Sequence, residues 1–151
     1  YGKIALKSAS EGYESAPSIF ANLFTLSLYN YCRTVCVPSG DYSSGETLIK
    51  KAISIFDKKE VAHYDYLENS YYMLAFLYQM QGKDKDAEDM VNYGVKHFPN
   101  NLYFLDGKGE LLMKEGKRQE AMVIWNKIIS IDPHWASNGS DFSKMILNNN
   151  K

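Results

Sequence analysis

Cysteine is nearly missing from this chain of 151 residues, which has two, and proline is scarce at four. Two cysteines cannot build the multi-bridge framework of a small stapled domain, nor the paired CxxC spacing of a structural zinc site. Cys32 and Cys36 lie four apart on a predicted helix. They share a face there, but a continuous helix does not readily reach disulfide geometry, so buried free thiols are expected. An excess of one charge is missing too: 17 Lys and Arg against 18 Asp and Glu leave a net charge of −1. That argues against a broad electrostatic hold on nucleic acid or anionic lipid. Long hydrophobic runs are absent. The most apolar stretch, residues 19–32, carries two asparagines, a threonine and a serine, with Arg33 directly after it. It falls short of the ~20 apolar residues that cross a bilayer, so a buried helix is expected and no membrane insertion. The chain begins at Tyr1 without a methionine. It reads as a fragment or processed form, and its compartment stays open.

Catalytic and cofactor signatures are equally scarce. The three histidines, His63, His97 and His134, stand near predicted helix ends without convergent ligand spacing. His97, in a last helical turn, suits the negative end of the helix. GKGE at residues 107–110 falls inside a helical pattern and lacks the phosphate-loop spacing, and neither GxSxG nor HExxH occurs. The acidic run at residues 84–89 is interleaved with lysine and is expected as a solvated helix face. No metal and no cofactor is expected, and enzyme activity has no positive support.

What the chain does have is a phrase written twice. GKDKDA begins at Gly82 and GKRQEA at Gly116, 34 residues on. At the same offset Ala75 meets Gly109, Tyr78 meets Leu112, Ala87 meets Ala121 and Pro99 meets Pro133. A fixed period of this length marks stacked supersecondary units. Tyr71, Leu74, Ala75 and Tyr78 recur at three and four, which predicts a helix that Gly82 closes. A second stripe runs through Ala87, Met90, Val91, Gly94 and Phe98 to Pro99. Leu105, Gly109 and Leu112 repeat the first stripe, and Ala121, Ile124, Trp125, Ile128 and Ile129 the second. One helical hairpin cannot bury its own face, so copies stack.

On these residues the chain resembles the tetratricopeptide repeat family. Counted from Glu68 or Leu102, Tyr71 and Leu105 take the family's large fourth position. Ala75 and Gly109 take the small eighth, Tyr78 and Leu112 the eleventh, Ala87 and Ala121 the twentieth, and Pro99 and Pro133 the thirty-second. Lys108, Val91 and Ile128 depart from the pattern. The resemblance implies an all-α fold of about seven helices in antiparallel pairs, wound as a right-handed superhelix.

The expected organisation is a single domain over residues 1–151. Residues 68–101 and 102–135 form the two clear repeats, and residues 15–60 a divergent hairpin. In that hairpin a stripe through Ile19, Phe20, Leu23, Phe24, Leu28, Tyr31 and Val35 precedes a turn at Pro38 to Gly40. Ser43 and Glu46 have the spacing of a capping box. Ser140 heads a capping helix over residues 140–148, with Phe142, Met145 and Ile146.

In the family, first helices line a concave groove that takes a peptide or partner helix. By position, the groove residues would be Asn69, Tyr72, Phe76 and Gln79 from one unit and Tyr103, Asp106, Glu110 and Met113 from the next. The best-known family variant grips a carboxylate with basic and amide side chains where this chain has Tyr72, Phe76, Asp106 and Glu110. The resemblance therefore implies a partner bearing apolar and basic side chains, not an anionic tail. A non-catalytic protein-binding module is the leading expectation. A spacer or self-associating segment is the second, and an enzyme or metal protein with an unrecognised site the third.

Overall fold

The computed structural model describes residues 2–57 and 66–135, and every described element is helical. In chain order they are α1 (Gly2–Ser15), α2 (Pro17–Tyr31), a π-helical turn (Cys32–Cys36), α3 (Val37–Ser39), α4 (Tyr42–Asp57), α5 (Leu67–Met80), α6 (Asp84–His97), α7 (Leu102–Lys114) and α8 (Arg118–Ile131). With α2, the π turn and α3 following without a break, the all-α expectation is met. His63 and the capping helix at residues 140–148 lie outside the described residues. The chain divides into two compact units, Tyr1–Ala87 and Glu88–Lys151, the division falling inside α6.

Three elbows share one backbone design. Gly40, Gly82 and Gly116 have φ of 74°, 68° and 74°, the left-handed region where a side chain costs about 1–2 kcal/mol. At Gly82 its own N–H donates to the Gln79 carbonyl and the Lys83 N–H donates to Tyr78. At Gly116 the same two bonds reach Met113 and Leu112, and at Gly40 they reach Val37 and, from Asp41, Cys36. These are Schellman closures, which satisfy carbonyls orphaned at a helix end. The elbows of the repeats were expected. The third has the same form, with Gly45 five residues on, in the place of Ala87 and Ala121.

In the first unit α1 packs on α2, α2 on α4, and α4 on α5. Ala9 and Ala21 are buried in one cluster with Phe24, Leu28, Ala52, Ile55 and Phe56. Burial of each large side chain of that kind contributes about 1.5–3 kcal/mol. Here the expected stripe on α2 is corrected: Ile19 is 75% and Leu23 50% exposed. The buried face instead runs through Ala21, Phe24, Thr25 and Leu28. Small residues let α1 and α2 approach closely along that line, which turns Ile19 and Leu23 to the outside. The Thr25 hydroxyl donates to the Ala21 carbonyl and so is buried at little cost. The expected capping box is corrected as well. Asp41 caps α4, its carboxylate accepting from the Ser44 N–H at 3.2 Å, because the Gly40 closure starts the helix at Tyr42. Ser43 therefore lies within the helix.

In the second unit α7 packs on α8 around Leu105, Leu112, Ala121, Trp125 and Ile128. Asn101, just before α7, accepts from the N–H groups of Tyr103 and Phe104 and caps that helix. Gly94 has no freedom to grow. A Cβ there would stand 2.1 Å from the Phe104 ring, which is fully buried.

Candidate functional site

Asn69, Tyr72, Phe76 and Gln79 recur at three, four and three along α5 and so share one face. The opposite face, through Tyr71, Leu74, Ala75 and Leu77, is buried. Asn69, Tyr72 and Phe76 are half-buried and Gln79 is exposed. Two aromatic rings therefore keep part of their surface open on this helix, beside amide groups that can donate and accept.

On α7 the picture differs from the expectation of an open acidic strip. Asp106 is 3% exposed, not solvated. Its carboxylate accepts from the Trp135 indole N–H at 3.3 Å. The Trp135 ring also stands edge-on to Tyr103, with centroids 5.0 Å apart at 83°. A tight turn after α8 brings the indole there: the His134 N–H donates to the Asp132 carboxylate and the Trp135 N–H to the Asp132 carbonyl. The second unit thus lays one of its own aromatics over the α7 face. Tyr103 stays 47% exposed beside it, and Glu110 and Met113 are half-buried. Sequence reading did not assign Trp135 a role. The available signal was an Asp-Pro turn followed two residues later by a tryptophan, a side chain that seeks both burial and an acceptor. The α5 and α7 sets belong to different units, and each is a feature of its own helix.

The lysine of the repeated phrase is used differently in the two units. Lys83 donates to Glu46 at 2.7 Å, alongside Lys50 at 2.6 Å and Gln81 at 2.9 Å. Both ammonium groups also lie over the Tyr78 ring, at 5.4 and 5.6 Å from its centroid. Burial opposes the Glu46 charge, but the bonds from Lys50, Lys83 and Gln81 outweigh it and bring its pKa down from 4.5 to about 2. Lys117, by contrast, pairs with Glu115 at 2.6 Å, both in solvent.

Cys32 and Cys36 are free and buried. Burial, then the neighbouring Cys36, pushes the Cys32 thiol up to about 12, and burial with Asp41 raises Cys36. Neither offers a thiolate nucleophile near neutral pH. Both flank Gly45: a Cβ there would lie 3.0 Å from the Cys32 sulfur and 3.4 Å from the Cys36 Cβ. Their role is to fill a close helix approach. Among the described residues no three His, Cys, Asp or Glu side chains converge as a metal site, and no helix is long and apolar enough to cross a membrane. His97 stacks on Tyr93 with centroids 4.1 Å apart, and His134 is exposed.

Comparison with protein-family models finds none that matches the chain, and comparison with curated proteins finds no relative.

Proposed function

We propose that the chain is a non-catalytic protein-interaction module, built of tetratricopeptide-like hairpins wound as a right-handed superhelix. The observation that supports this reading is the threefold elbow, in which Gly40, Gly82 and Gly116 carry the same closure and a small residue follows five positions on. A chain that repeats one closure is built by stacking, and stacked hairpins offer helix faces rather than an enclosed pocket. The α5 face, with Asn69, Tyr72, Phe76 and Gln79, is the contact surface on the first unit. On the second, Tyr103, Glu110 and Met113 meet the partner while Asp106 holds Trp135 in place. Half-open aromatics supply contact area at low entropy cost, and Glu110 favours a partner with basic as well as apolar side chains.

The test is capture of binding proteins on the full chain as bait, followed by titration of the captured partner against variants. Tyr72→Ala with Phe76→Ala should weaken it at least tenfold, and Glu110→Gln should weaken it less while flattening its salt dependence. Unchanged affinity in both, with helical content preserved, would remove these faces from the binding surface.

A further inference from the structure

A cleft of about 500 Å³ opens in the first unit between α1 and α4, over α2. Leu6, Phe24, Leu28 and Leu48 line it with apolar surface, and Lys51 holds its ammonium 5.0 Å from the Phe24 ring centroid. The wall formed by α1 contributes Lys3, Lys7, Ser10, Glu11 and Glu14. These are spaced at three and four, so they form one helical face, and all four charged residues are exposed. Ile4, 70% exposed, borders the same face.

The order of charge along this face is unusual for a lone helix. Lysines stand toward the N-terminal end of α1 and glutamates in its last turns, with no acid in the first turn and no base in the last. The last turn therefore carries the sign that the helix dipole disfavours. The internal pair, Lys7 with Glu11 at 3.7 Å, also runs in the less favourable direction. A solvated helix gains little from this order. An antiparallel neighbour of the same sequence gains more.

We propose that α1 is a self-docking helix, and that the cleft takes the α1 of a second copy of this chain, antiparallel, about a two-fold axis. Lys3 then faces Glu14 of the second copy and Lys7 faces its Glu11, and the axis repeats both pairs. The two pairings differ in register by one residue, about 1.5 Å along the helix, which long side chains absorb. The dipoles oppose, and the charges that were misplaced on one helix are compensated by the other. Ile4 becomes covered, and the half-buried Leu6 and Leu48 lose water. An isologous contact of this kind closes at two copies.

Charge exchange tests it on the full chain by sedimentation over a concentration series at low salt. The wild type should dimerise at concentrations reaching the millimolar range and dissociate as salt rises. Lys3→Glu with Lys7→Glu should be monomeric, as should Glu11→Lys with Glu14→Lys. An equimolar mixture of those two variants should form a heterodimer. The fourfold exchange, carrying all four substitutions, should dimerise again, since every facing pair stays opposite in sign. Circular dichroism confirms that each variant keeps its helices. A wild type monomeric throughout, single exchanges that dimerise like wild type, or a mixture or fourfold variant that stays monomeric would each overturn the proposal.

Discussion

Glu46 shows how one side chain can join elements that sequence spacing keeps apart. Its spacing from Ser43 suggested a local cap, yet the carboxylate instead gathers Lys50 from its own helix and Gln81 and Lys83 from the elbow after α5. Because its folded pKa lies near 2, below the ordinary 4.5, the cluster stabilises the fold above about pH 4.5. That contribution is lost as pH falls from there toward 2. The lysines are half open to solvent, so screening keeps the gain modest. Glu46→Gln should therefore be less stable than wild type at neutral pH, with the difference shrinking below pH 4.5 and gone near 2. Denaturant titrations across that range would check it, and a difference that stayed constant with pH would place the stabilisation elsewhere. Asp106 carries a related lesson. The resemblance placed it among the groove residues with an open carboxylate, but a turn eleven residues beyond the repeated alanine at 121 brings an indole back over it and buries it. Nothing in a helical period announces such a return.

At the scale of the element, the elbows at Gly82 and Gly116 could be read directly, because each glycine follows a small residue by seven and precedes another by five. The turn at Pro38 to Gly40 was legible as well, but its kinship with the other two elbows was hidden by the π turn. That turn adds one residue, so Cys32 stands eight before Gly40 where Ala75 and Gly109 stand seven before theirs. A single inserted position erased the periodic signal while the geometry was kept. The exposed Ile19 and Leu23 were misread for a different reason: α2 is apolar nearly all round, so its period could not choose a face, and the small residue Ala21 did. Gly82→Ala and Gly116→Ala should each cost about 1–2 kcal/mol, since φ rather than space is limiting there. Gly107→Ala, inside α7 with its Cβ 3.4 Å from Val91, should be neutral or stabilising by up to about 1 kcal/mol. Chemical denaturation separates these cases, and equal effects at all three sites would mean the elbows are not conformationally special.

For the whole molecule, two facts bear on function together. The described residues are helical throughout, and the described polar clusters, around Glu46 and around Asp106, tie helices and turns to one another. On the proposed reading, a partner would meet the half-open aromatics of α5 and Tyr103 with Glu110 and Met113 on α7, and a second copy the charged face of α1. Amide hydrogen exchange on the full chain, with and without its captured partner, addresses that directly. The account predicts new protection concentrated in α5, Leu67–Met80, and α7, Leu102–Lys114, with little change in α8. Protection confined to α6 and α8, with α5 and α7 unchanged, would contradict it.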